Sequence, residues 1–179
     1  MPEIHTPFGR AFEDFHVGDV IRHWPGRTLS QSDNLLFSLL SQNQHPLHID
    51  AHYAAQTAFG KTVLNGILVF SVSVGQTVGD ISGAAIAHLE YENIVHLLPA
   101  FEGDTIYTRT EILAKQESKS KPDRGIVQVE TTTANQRNED ILRFRSKLLI
   151  SKQEYAQRPH THQSALTPME GFFVPVKTS

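Results

Sequence analysis

The chain has no cysteine, so it can hold neither a disulfide nor a thiolate-bound metal. That absence fits a reducing compartment. Long apolar runs are missing too. The best candidate, residues 63–78, is interrupted by Asn65, Gly66, Ser71, Ser73, Gly75 and Gln76, whereas about 20 apolar residues are needed to span a bilayer. The opening Met1-Pro2-Glu3-Ile4-His5-Thr6 lacks the basic-then-apolar pattern of a secretory signal. A cytoplasmic protein that binds no membrane is the expectation. Positive charge is not in surplus: Lys and Arg number 16 against 19 Asp and Glu, for a net charge of −3. This argues against a general nucleic-acid binder. The glycine-rich fingerprints of P-loop and dinucleotide sites are absent, so no nucleotide cofactor is expected.

What is present is enough for one domain. Of 179 residues, 39% are hydrophobic and 20% charged, a composition that supports a real core. Residues 20–28 predict a strand interrupted at Pro25-Gly26, as at a bulge or sheet edge. Ser30 to Asp33 offer N-caps for a short helix in which Leu35, Leu36, Leu39 and Leu40 recur around Phe37. Pro46 disfavours helix at His45, so residues 43–48 are expected to form a loop. Asp50 is placed to cap a second helix. Tyr53, Ala54, Ala55 and Ala58 are expected to face inward there, and Phe59-Gly60-Lys61 to end it.

Residues 64–78 predict a largely buried helix ended by 79–83, because burial overrides valine's weak helix propensity. Strands are then predicted at 84–95, 105–116, 126–134 and 141–151, with a polar connection at 117–125. In the last strand Leu142, Phe144, Ser146 and Leu148 share one face, while Arg143, Arg145 and Lys147 share the other. The order predicts an α+β fold, an antiparallel sheet packed on one central helix. The domain is expected over 12–152, followed by an irregular tail at 153–179 that docks through Phe172-Phe173-Val174. There is neither an internal repeat nor a linker dividing two domains.

Two stretches carry chemistry. His48 can exchange protons near neutral pH. Gly66 opens the apolar run, where a backbone N–H at the positive end of a helix can hold a developing oxyanion. A proton-transfer group and an oxyanion donor are the minimum equipment for chemistry beside a carbonyl. The same residues also read as an ordinary loop and an Asn-Gly turn. A metal site built from His45, His48 and His52 with Asp50 is the rival, since His48 and His52 are four residues apart. The Asp50 cap places His48 ahead of that helix, and no metal is expected. His88 and His96 belong to no motif.

In order, the chain shows Ser41-Gln42-Asn43-Gln44-His45-Pro46-Leu47-His48-Ile49-Asp50, then Ala54-Ala55, Phe59-Gly60, Asn65-Gly66-Ile67 and Pro99-Ala100-Phe101-Glu102-Gly103-Asp104-Thr105. This ordered set resembles the MaoC-like dehydratases, which include the (R)-specific enoyl-CoA hydratases. The resemblance covers roughly 12–152 and implies a single hotdog fold, in which a curved antiparallel sheet wraps a central helix. It implies that His48 and Gly66 are the catalytic histidine and oxyanion-hole glycine. Asn43 stands where the family has its catalytic Asp, His45 where it has Asn, and Asn65 where it has His. An Asn-for-Asp site resembles a branch acting on short, branched or carboxylated acyl-CoA compounds, mesaconyl-type substrates included.

The expected activity is that of a lyase, reversible addition of water to a 2-enoyl-CoA, with coenzyme A entering as part of the substrate. His48, Asn43 and Gly66 are the expected catalytic residues, Asn43 orienting water because it cannot transfer a proton. Asn65, Lys121 and Arg124 are candidates for substrate contact. The basic loop carrying Lys121 and Arg124, or the face carrying Arg143, Arg145 and Lys147, would meet the coenzyme A phosphates; both also read as plain solvated surface. The resemblance further implies a homodimer or larger homo-oligomer. A hotdog thioesterase and a non-catalytic acyl-CoA-binding protein are the alternatives.

Overall fold

The computed structural model describes residues 8–154; the expected docking of the tail lies outside them. Two short strands come first, β1 (Val20–Arg22) and β2 (Arg27–Thr28). Both pair antiparallel with one longer strand, on either side of the Pro25-Gly26 interruption. Four helical segments follow: α1 (Gln31–Leu40), α2 (Pro46–Ile49), α3 (Ala51–Ala55) and α4 (Gly66–Thr77). Then come β3 (Ala85–His96), β4 (Thr105–Glu117), β5 (Arg124–Ala134) and β6 (Asp140–Ser151). The sheet is antiparallel in the order β1-β4-β5-β6-β3, with β2 also on β4.

Period-2 patterning builds the sheet. In β6, Leu142, Phe144, Ser146, Leu148 and Ile150 are buried, whereas Arg145 and Lys147 turn outward and pair with Glu130 and Glu90 across the strands. Burying such a Leu, Ile or Phe side chain is worth about 1.5–3 kcal/mol. The inner face packs in two apolar clusters. One joins Phe12, Phe15 and Ile81 to Ile112, Val127, Val129, Leu148 and Ile150. The other joins Leu29, Leu64, Val69 and Ala100 to Ile106, Ile141, Leu142 and Phe144.

Buried hydroxyls also line the inner face of the sheet beneath α4. Thr133 Oγ1 donates to Ser73 Oγ at 2.8 Å, and Ser73 donates to Val69 O, also at 2.8 Å. The helix is thus fixed on the sheet by directional bonds as well as by burial. An antiparallel sheet with one central helix is the hotdog arrangement.

Three local expectations are corrected. Residues 46–49 form a helical turn rather than loop. Proline is favoured at the first helical position, where its missing N–H would have no partner anyway, and His45 supplies the N-cap, its Nδ1 accepting from Leu47 N–H at 3.2 Å. The second helix stops at Ala55, and of Tyr53, Ala54, Ala55 and Ala58 only Ala54 is buried. Gly60 does adopt the left-handed conformation, with φ +67°. At the far end of α4 the chain continues as a π turn over Val78–Ser82 before it leaves the helix axis. No helix among the described residues is long and apolar enough to cross a membrane.

Candidate active site

His48 is presented by α2, and its ring is fixed by one bond. Nδ1 lies 2.9 Å from Val63 O. A carbonyl only accepts, so Nδ1 carries the proton, and Nε2 of the neutral ring is left as the basic nitrogen. The segment holding Val63 is itself pinned: Val63 N–H donates to Leu47 O at 3.2 Å and Leu64 N–H to Ala100 O at 2.9 Å.

Gly66 begins α4 with Asn65 as its N-cap, the Asn65 Oδ1 accepting from Ile67 N–H at 3.0 Å. As a first-turn amide, the Gly66 N–H has no intrahelical acceptor, and none is present among the described residues. The absence of a side chain here lets the His96 ring lie close against the backbone. A Cβ at this position would sit 2.7 Å from His96 Cε1 and 2.9 Å from its Nε2.

Asn34 ties the two halves together. It is fully buried on α1. Its Nδ2 donates to His48 O at 2.7 Å, while its Oδ1 accepts from Asn65 N–H at 2.8 Å. One amide therefore fixes the histidine turn against the start of α4.

His48 and Gly66 line one cavity of about 270 Å³. Its other walls are apolar, with Val63, Leu64, Val69 and Ile141 among them, and His96 closes one side. Asp, Glu, Lys and Arg are absent from this lining among the described residues.

The other expected residues lie elsewhere. Asn43 does not line the cavity; its Oδ1 accepts from His45 N–H at 3.3 Å, shaping the turn before α2. Asn65 caps α4 and is buried, its Nδ2 without a partner among the described residues. Lys121 and Arg124 sit at the β4–β5 turn, and Arg124 makes a two-point ion pair with Asp123 at 2.7 Å. That turn is at the opposite end of β4 from Ala100 and Ile106, roughly 40 Å away along an extended strand. The chain does not bring these cations to its own cavity.

The histidines of the rival metal set have separate partners: His45 the Leu47 N–H, His48 the Val63 carbonyl, and His52 the Gln56 side chain. Among the described residues no group of three or more His, Asp or Glu is placed to hold a metal ion. Sequence reasoning missed Asn34 and His96. Neither belongs to a motif, and each reaches the site only through tertiary packing.

The sequence matches the MaoC like domain over residues 14–135, and the chain belongs to this family. Mesaconyl-CoA hydratase of Cereibacter sphaeroides is 30% identical over 153 residues, covering 86% of this chain and 44% of that protein. A solved MaoC domain protein of Chloroflexus aurantiacus superposes with a TM-score of 0.80 at 28% identity, covering 88% of this chain and 44% of that one. A Mycobacterium tuberculosis protein described as having a double hotdog fold superposes with a TM-score of 0.74 at 26% identity, covering 80% of this chain and 44% of that one. The chain thus spans less than half the length of these relatives.

Proposed function

We propose that this protein adds water reversibly to a short-chain 2-enoyl-CoA. The observation that carries the proposal is that His48, whose Nε2 is left as the basic nitrogen, and Gly66, whose N–H is unpaired among the described residues, line one largely apolar cavity. The acyl group enters with its thioester oxygen toward Gly66. That N–H meets the oxygen where negative charge develops, an interaction whose loss typically costs about 10²–10³ in rate. His48 Nε2 takes the proton of the attacking water. Asn43 cannot take a proton, and it serves in orienting water only through its Nδ2, which has no acceptor among the described residues.

The size and apolar walls of the cavity favour a short or branched acyl group. A carboxylated one would find no Lys or Arg there among the described residues. Lys121 and Arg124 would meet coenzyme A phosphates only if a second copy brought its β4–β5 turn to this cavity. Such a copy is part of the proposal. β3 is an edge strand, and Ile86, Leu89, Ile94 and Val95 on it are exposed, as a strand that pairs with a second hotdog domain would leave them.

The test is hydration of crotonyl-CoA, mesaconyl-CoA and related thioesters, following double-bond loss and thiol release separately. His48→Ala is expected to lower hydration by about 10²–10⁴, the usual worth of acid–base assistance, with the fold intact. Unchanged turnover in that variant rejects the assignment. Binding of acyl-CoA without turnover is the second reading, favoured by the missing carboxylate in the cavity; tight binding with neither product would support it. Thiol release would instead mark a thioesterase.

A further inference from the structure

Two imidazoles border the cavity, and the proposed hydration uses only one of them. His96 is the last residue of β3. Its backbone is held in register opposite Leu142, and the next residue, Leu97, donates its N–H to Ile141 O at 2.9 Å. With the strand end fixed in this way, the ring lies against Gly66. A Cβ on Gly66 would be 2.7, 2.9 and 3.2 Å from His96 Cε1, Nε2 and Nδ1 respectively, so one whole edge of the ring covers the glycine. Neither ring nitrogen has a hydrogen-bond partner among the described residues.

Adding water to an enoyl thioester moves protons at two different atoms. One leaves the water, and another arrives at Cα. A carboxylate beside His48 would serve one of these transfers, but the cavity has none among its described lining, and Asn43 is both non-titrating and turned toward His45. The acyl Cα is two bonds from the thioester oxygen, so a ring lying on the glycine that holds this oxygen is beside Cα as well.

We infer that His96 is the general acid that delivers the proton to Cα; this rests on the hydratase assignment above. The water oxygen bonds to Cβ as its proton passes to His48 Nε2. The Cα=Cβ pair moves toward the carbonyl, and negative charge collects on the thioester oxygen at the Gly66 N–H. When the C=O bond re-forms, the pair returns to Cα and takes the proton of a protonated His96. His48 is left protonated and His96 neutral. Loss of a proton to solvent by the first and gain of one by the second restore both. Imidazoles suit the task because their charge changes near neutral pH. An exposed histidine that merely ends a strand would leave turnover indifferent to its replacement.

The experiment compares wild type with His96→Ala on whichever of crotonyl-CoA or mesaconyl-CoA the wild type hydrates, with far-UV circular dichroism to confirm folding. The expected result is a fall in kcat of about 10²–10⁴ with KM little changed. Added free imidazole should restore part of the rate by entering the vacated, solvent-open space, and pyrrole, similar in size but not basic, should not. Equal turnover in the variant overturns the inference while leaving the hydratase assignment standing. Equal restoration by imidazole and pyrrole also overturns it, because the ring would then be filling space. If the wild type hydrates neither thioester, the hydratase assignment fails and His96 loses its role with it.

Discussion

Asn34 holds His48 from behind: its Nδ2 donates to the His48 carbonyl at 2.7 Å, and its Oδ1 accepts the Asn65 N–H at 2.8 Å. A single buried side chain thereby ties the turn bearing His48 to the start of the helix that opens at Gly66. Replacing it with Leu, which is close in size, leaves a half-buried carbonyl and a buried N–H unpaired, each worth up to about 1–3 kcal/mol. Asn34→Leu is expected to lower unfolding free energy by about 2–5 kcal/mol and to depress hydration in the surviving folded fraction. Urea denaturation with a parallel activity assay measures both, and a variant of wild-type stability would contradict the clamp.

Gly66→Ala keeps the N–H but places a methyl group where the His96 ring now lies. The obstacle is an exposed side chain, so the ring can swing aside and the fold should survive. The site should not, since a misplacement of about 1 Å can cost roughly 10²-fold in rate. Steady-state kinetics should show such a loss in kcat with an unchanged melting temperature. A variant of normal activity would mean that substrate does not approach Gly66 closely.

The fold was legible because its signals are periodic. The alternation of Leu142, Phe144, Ser146 and Leu148 places β6, and the caps at Ser30 and Asp50 place α1 and α3. His48 and Gly66 could be paired in advance only because motifs bring them into one frame. Asn34 and His96 could not be. Their roles depend on α1 crossing behind α2 and on β3 ending above α4, contacts between residues far apart in sequence that no local pattern encodes. Asn43 is the intermediate case: its motif position is legible in the sequence, but the Asx turn in which its Oδ1 accepts the His45 N–H is a local geometry the motif does not encode.

His23 links the π turn to the sheet away from the cavity. Its side chain is buried, Nδ1 donates to Asp80 Oδ2 at 2.9 Å, and Thr110 Oγ1 lies 2.8 Å from Nε2. Burial holds its pKa below the ordinary 6.5, opposed by Asp80 and reinforced by Arg10. A lowered pKa means that the folded state favours the neutral ring. The associated stability is fully present above pH 6.5 and is lost as pH falls from there toward the folded-state value. Thermal melts from pH 8 down to pH 5 should therefore show a decline that His23→Gln flattens. An identical slope in the variant would assign the acid sensitivity to other groups.

The exposed edge of β3 yields the last prediction. Leu89 is 50% and Val95 40% exposed on a strand that pairs with β6 on one side and has no strand on the other among the described residues, and such an edge is a template for a further strand. If two copies join there, the twofold axis brings like residues near one another, and lysines at these positions would face lysines. Like charges juxtaposed at an interface cost several kcal/mol, which raises the dimer Kd by about 10²-fold or more. Both side chains are already half in solvent, so Leu89→Lys with Val95→Lys should leave each chain folded. Light scattering behind size exclusion should give two chains for the parent and one for the double variant. A parent mass of one chain, or a variant that remains paired, would show that β3 is not the joining edge. Activity read on the same samples then reveals whether the cavity needs the second copy, as it must if Lys121 and Arg124 of one chain serve the cavity of the other.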